Sequence, residues 1–332
     1  TKITDIAMNR DVITNTDFVF SNDIKTGKIT NQEQSGRCWM FAGLNVMRLT
    51  AMKKMNLETF ELSQSYLFFW DKLEKSNYFL ESIITTAEEP IDSRLIMWLL
   101  SAPLNDGGQW DMFANLVKRY GVVPKSAMPE SFNSKNSGHM DYLVTLKLRE
   151  CAMILRNMHK KEIKIENLRN KKNEMMSEIY KMLVIYLGEP PEKFHWQYRD
   201  KKRKFHRDPK LLTPIEFYKK YIRIDLDNMI SIINCPTKDK PFNKMYTVQF
   251  LGNVVGGEIV RYLNIEIETL KKITAKSLIK NDPVWFGCDV GKMLFRDEGI
   301  MDTKMFEYDR LFGTTFAMDK ANRVDYRDSL MT

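Results

Sequence analysis

The chain has 332 residues, 43% of them hydrophobic and 19 of them Phe, which is ample for one large or two ordinary domains and excludes a disordered chain. Its formal net charge of +8 raises contact with nucleic acid or an anionic surface as a question, because net charge reports on association and not on fold. No run approaches the ~18 apolar residues that a membrane helix needs, the longest candidate lying around Met182–Leu187, and the mixed polar first thirty residues do not read as a signal peptide.

Residues 1–30 read as a polar strand-and-loop lead-in. Residues 38–56 are broken only by Gly43 and are apolar around most of the circumference, which predicts a buried helix with Lys53 and Lys54 at its C-terminal end. Residues 62–75 and 92–101 predict further helices. NDGGQWDM (105–112) predicts a turn followed by a helix to about Tyr120, and residues 121–131 a loop with two prolines. From 139 to 190 the chain turns helical and highly charged, and a second basic cluster follows at 198–210. A β-rich apolar run comes only at 283–291, ending in Gly as a strand would. Mixed structure thus flanks a long helical, basic middle, as an insertion within a domain would. The expected segments are 1–135, a mainly helical insertion at 136–280, and 281–332 as the start of a β-rich part, giving an α+β class.

Cys38, Cys151, Cys235 and Cys288 form neither a CxxC pair nor a metal-ligand pattern. The expectation is therefore reduced thiols, no metal and no cofactor. Three of them read as small buried hydrophobes. Cys38 differs because the apolar helix begins at it, where unpaired backbone N–H groups and the helix dipole favour negative charge on sulfur. Six residues upstream, the Gln32 carboxamide can donate a hydrogen bond, so that with the Cys38 backbone N–H it forms a candidate oxyanion hole. A lone cysteine before an apolar helix would be an ordinary buried residue; Gln at minus six, Gly at minus two and Trp at plus one favour catalysis.

Gln32, Gly36, Cys38, Trp39 and Phe41 resemble the active-site segment of papain-like peptidases, and ITNQEQSGRCWMF resembles the bleomycin hydrolase and aminopeptidase C branch in particular. ELSQSYLFFWDK (61–72), NDGGQWDM (105–112), MPESF (128–132), LTPIEFY (212–218) and VWFGCDVGK (284–292) resemble the same branch, so the likeness covers nearly the whole chain. It implies a papain-like two-subdomain fold with a large helical insertion and an incomplete second subdomain. It also implies Cys38 as nucleophile, Gln32 in the oxyanion hole, and Gly107, Gly108 and Trp39 at the substrate cleft. Secreted papain-like enzymes carry a disulfide whose two positions are here Ser35 and Asn105, which points to the cytoplasm.

Such a nucleophile needs an imidazole and an orienting Asn. His139, His159, His195 and His206 all lie in polar or basic contexts and read as surface residues. RDSLMT (327–332) resembles the segment directly before the family's catalytic His. The expectation is therefore that His and Asn follow Thr332, that the start too is shortened, and that this chain by itself has little activity. The implied function is a cysteine aminopeptidase acting on N-terminal peptide bonds and on bleomycin-like amides. The resemblance also implies a hexameric ring. The density of Arg199, Lys201, Lys202, Arg203, Lys204, Arg207 and Lys210 adds an expectation of weak nucleic-acid binding through Lys201–Lys204. The alternative is an inactive nucleic-acid-binding or scaffold protein that retains the fold.

Overall fold

A computed structural model describes residues 1–329; of the segment 327–332, residues 330–332 lie outside the described part. The chain forms two compact units, a larger one of residues 26–231 and 247–261, and a smaller one of 1–25, 232–246 and the chain from Tyr262 onward. Element labels run in chain order through both.

The chain opens, in the smaller unit, with α1 (Ile3–Ala7) and α2 (Arg10–Thr14). This corrects the strand expected within residues 1–30. The Asn9 side chain accepts from the Asp11 N–H at 3.1 Å and so caps α2, a local signal stronger than the polar composition of the segment.

In the larger unit, α3 (Cys38–Met55) follows the expected bounds closely. Met40, Leu44, Met47 and Ala51 are completely or almost completely buried, and the helix stops where Asn56 turns left-handed at φ 52°. α4 (Gln64–Thr85) starts on the Ser63 hydroxyl, which accepts from the Tyr66 N–H. After it come α5 (Arg94–Ser101), α6 (Trp110–Tyr120), α7 (Phe132–Lys135), α8 (Gly138–Lys160) and α9 (Ile165–Leu187). α4 is the hub, packed by α3, α6, α8 and α9 around Phe68, Phe69, Leu80 and Ile83. The charged helical middle expected as an insertion thus shares its core helix with the Cys38 helix.

The basic cluster forms an antiparallel hairpin that composition did not reveal, β1 (Gln197–Arg199) and β2 (Phe205–Arg207), with Tyr198 opposite His206. Asp200 makes its turn by accepting from the Lys202 and Lys204 N–H groups. α10 (Pro214–Phe217) begins on a Thr213–Glu216 capping box with Pro at the first helical position, and runs into a π turn (Tyr218–Ile222) that packs on α3.

A sheet of order β3-β5-β4 joins β3 (Ser231–Ile233), β4 (Lys244–Tyr246) and β5 (Tyr262–Asn264). The smaller unit continues with α11 (Ile267–Ile279), the antiparallel pair β6 (Leu294–Phe295) and β7 (Ile300–Met301), α12 (Tyr308–Phe312) and α13 (Lys320–Asp325). The strand expected over 283–291 does not form. Pro283 has no N–H to give a ladder, no ladder partner pairs with the run among the described residues, and Phe286 is 73% exposed.

Candidate active site

Cys38 is exposed and is the first residue of α3. Arg37, which precedes it, makes no side-chain cap, so the first-turn N–H groups have no side-chain acceptor from that position. Arg37 instead turns inward and is 1% exposed. Its guanidinium donates to both Glu130 oxygens, at 3.1 and 2.9 Å, and to Ser35 Oγ at 2.7 Å. The same guanidinium reaches the Gln32 carbonyl at 3.5 Å, while the Ser35 hydroxyl donates to that carbonyl at 2.6 Å. The 32–37 loop is therefore wrapped around one buried cation, which fixes Gln32 next to the start of α3. The Gln32 Oε1 atom is buried with no hydrogen-bond partner.

The paired glycines lie against this turn. The Gly107 N–H donates to the Gly36 carbonyl at 3.2 Å, and Gly107 has φ +82°, a conformation that suits glycine. A Cβ on Gly108 would sit 2.8 Å from the Trp39 ring, so only glycine allows the loop to lie this close to the buried indole. Asp106 packs directly on Gly36.

Beneath the loop lie two buried lysines from α4. Lys72 pairs with Asp106 and with Asp141 of α8, each at 2.8 Å. Burial works against its ammonium, but the two carboxylates outweigh that and lift its pKa above the ordinary lysine value. Lys75 pairs with Asp71 at 2.8 Å and donates to the carbonyls of Asn105 and Gly107, at 2.8 and 2.7 Å. Here burial prevails over Asp71, and the neighbouring Lys72 adds repulsion, so the pKa falls below the ordinary value. Beside the loop opens a cavity of about 210 Å³, walled by Tyr78, Trp98, Leu99, Pro103, Phe250 and Leu251.

The sequence-predicted residues Gln32, Cys38, Trp39, Gly107 and Gly108 thus come together around one turn. Sequence reasoning missed the ionic layer under them: Arg37, Glu130, Asp71, Lys72, Lys75, Asp106 and Asp141. Its signal was the set of charges Asp71, Lys72, Glu74 and Lys75 inside an apolar helical run, since charges bury only when paired. Among the described residues, no histidine hydrogen-bonds to Cys38. His139 and His195 are exposed, His159 is half-buried near the end of α8, and His206 pairs with Asp200 at 3.2 Å and stacks on Tyr198. Of the other cysteines, Cys151 and Cys235 are buried and Cys288 is half-buried.

Known proteins share this sequence and fold. The model of the Peptidase C1-like family matches residues 1–332. Aminopeptidase C of Listeria innocua is 51% identical over 314 residues, covering 95% of this chain and 70% of that protein. Bleomycin hydrolase of Homo sapiens is 42% identical over 335 residues, covering 99% of this chain and 73% of that protein. A crystal structure of PepW from Lactobacillus rhamnosis HN001 superposes with a TM-score of 0.97 at 48% identity, covering 99% of this chain and 74% of that one.

Proposed function

The chain belongs to the Peptidase C1-like family, and from that premise we propose how its residues divide the work. The fold is the mixed α+β papain-like one, and the protein is a cysteine-type aminopeptidase of the aminopeptidase C and bleomycin hydrolase kind, acting on peptides. Cys38 is its nucleophile. The sulfur attacks the carbonyl carbon of the substrate's N-terminal residue, and the C–N bond breaks so that the rest of the peptide departs as an amine carrying the proton given up by the thiol. Water then hydrolyses the thioester to the free amino acid and the thiol. The Gln32 carboxamide and the Cys38 backbone N–H hold the oxyanion. Gly107 and Gly108 form the edge along which the substrate backbone lies, with Trp39 beneath them, and the adjoining cavity takes an apolar side chain. The observation that carries this reading is an exposed Cys38 at the head of a buried helix, with the glycine loop hydrogen-bonded to Gly36 two residues before it.

The test is Cys38→Ala in the full-length natural protein. Hydrolysis of an aminoacyl fluorogenic amide should fall about 10⁴-fold or more with the melting temperature retained. Activity within tenfold of the parent would remove Cys38 from the mechanism. The inactive scaffold reading finds no support among the named relatives.

Three finer readings belong to the same proposal. A hexameric ring follows from the branch alone and is checked by mass photometry. Weak nucleic-acid binding rests on the exposed turn Lys201, Lys202, Arg203 and Lys204 of the β1–β2 hairpin. Reversing those charges should flatten the salt dependence of binding, and an unchanged slope would end the idea. A cytoplasmic location rests on four free cysteines and on Ser35 and Asn105 at the family's bridge positions; no helix among the described residues is long and apolar enough to cross a membrane. The three-segment division at 135/136 and 280/281 is likewise proposed, and limited proteolysis near those positions would support it.

A further inference from the structure

We propose that Lys75 is a positioning residue for peptide hydrolysis, one that aims the Gly108 N–H by holding the Asn105 and Gly107 carbonyls. The inference rests on the reading of Gly107 and Gly108 as the cleft edge.

An ammonium has three protons, and Lys75 has three acceptors at hydrogen-bond distance: Asn105 O at 2.8 Å, Gly107 O at 2.7 Å and Asp71 Oδ2 at 2.8 Å. The side chain is 6% exposed, and its Nζ lies 5.2 Å from the centroid of the Trp39 ring. Every proton of this group is therefore committed, and two of the three go to the backbone of one short loop.

That commitment has a geometric consequence. The chain contains no cis peptide among its described bonds. In a trans peptide the C=O and the following N–H point to opposite sides of the backbone. With the Gly107 carbonyl drawn in to Lys75, the Gly108 N–H must point away from the buried lysine. By the same rule, the Asn105 carbonyl sends the Asp106 N–H outward. Lys75 thus decides which polar groups of the loop are available to an incoming chain. The Gly107 N–H bond to Gly36 holds the peptide plane before Gly107, but the plane between Gly107 and Gly108, with no side chain on either residue, relies on Lys75 to choose one orientation over its flip.

The anchor of the lysine is itself held. Asp71 presents Oδ2 to Lys75 and Oδ1 to the Asn253 side chain, which donates to it at 3.2 Å and to the Met112 carbonyl at 3.1 Å. Asn253 is fully buried and lies just beyond Phe250–Gly252, which line the cavity beside the loop. Loop, lysine, aspartate and cavity wall form one connected set. A buried ion pair is a poor device for stability alone, because desolvation takes back most of its attraction. Its use here is orientation.

The experiment is steady-state kinetics of Lys75→Met and Lys75→Arg in the full-length protein, with iodoacetamide alkylation of Cys38 measured alongside. Lys75→Met keeps the bulk and removes the donors. It should raise KM for a peptide substrate by about tenfold or more, the scale of a lost charge-assisted hydrogen bond, with kcat changed less than about threefold. The alkylation rate of Cys38 should stay at the parent value, and Lys75→Arg should restore part of the KM. An unchanged KM in folded Lys75→Met would overturn the proposal, as would a loss confined to kcat and alkylation. If Lys75→Met does not fold because Asp71 is left unpaired, Asp71→Asn/Lys75→Met removes both charges and must still show the raised KM. Failure of the Cys38 reading is separate, since Cys38→Ala would then remain active whatever Lys75 does.

Discussion

Arg37 and Glu130 stand 93 residues apart in the chain and meet through two hydrogen bonds from one guanidinium nitrogen, at 2.9 and 3.1 Å. Arg37 is the residue before Cys38 and is almost wholly buried, lying 5.0 and 5.2 Å from the Phe41 and Phe68 ring centroids. Glu130 also accepts from the Ser134 hydroxyl, so the turn before α7 is fastened to the turn before α3.

Removing Glu130 leaves a buried guanidinium without its carboxylate. Glu130→Ala should therefore cost about 3–5 kcal/mol of unfolding free energy, and Glu130→Gln, which keeps an acceptor, distinctly less. Urea titration followed by Trp fluorescence measures both. The Cys38 alkylation rate should drop in Glu130→Ala, because the 32–37 loop loses its centre.

Gly108 faces the indole of Trp39 with no room for a methyl group. A Cβ there would meet three ring atoms at 2.8 Å, and the ring is 6% exposed, with little space to retreat. Gly108→Ala is expected to cost about 1–3 kcal/mol by overpacking and to raise KM for peptides. Thermal melts and kinetics on the same preparation check the two effects together.

The α4–α9 contact should weaken in acid. Burial alone would raise the pKa of Glu81, but hydrogen bonds from Lys172 and Arg169 outweigh it and hold the carboxyl below the usual range. A carboxylate with a depressed folded-state pKa stabilises fully above its unfolded value and loses that stabilisation as pH falls through the folded one. Glu81→Gln should then lower the melting temperature by about 1–2 °C at pH 7, for about 1 kcal/mol, and by less at about pH 3. Equal shifts at both pH values would contradict the assignment.

Thiol labelling should separate Cys38 from Cys151. Cys38 is exposed, while Cys151 is buried within α8 and burial pushes its thiol up to about 11. At pH 7.5 that leaves less than about 1 in 1,000 of Cys151 as thiolate. Peptide mapping after brief iodoacetamide treatment should find Cys38 carbamidomethylated at least about a hundredfold faster. Comparable rates would mean that α8 opens readily or that Cys38 is shielded.

The helix headed by Cys38 was legible because apolar residues cover most of the circumference of 38–56, and Gln32, Gly36 and Trp39 keep a spacing that local backbone geometry requires. Helices α5, α6, α8 and α9 were legible for a similar reason, since helical hydrogen bonds close within five residues, whereas α4 was legible only in its first half, running to Thr85 where a helix over 62–75 was expected. What depends on distant partners was not. The run 283–291 has strand-like side chains, but a strand exists only where another supplies its ladder. The basic stretch 198–210 showed charge, whereas its hairpin depends on Asp200 gathering the N–H groups of the turn. Most of all, nothing in the order of residues couples Arg37 to Glu130, or Lys75 to the carbonyls of residues 105 and 107. The sequence by itself determined most of the helices and which side chains are the candidates for the chemistry. Tertiary structure alone decided how they are held, because a buried charge finds its partner through space and pays no regard to the distance along the chain.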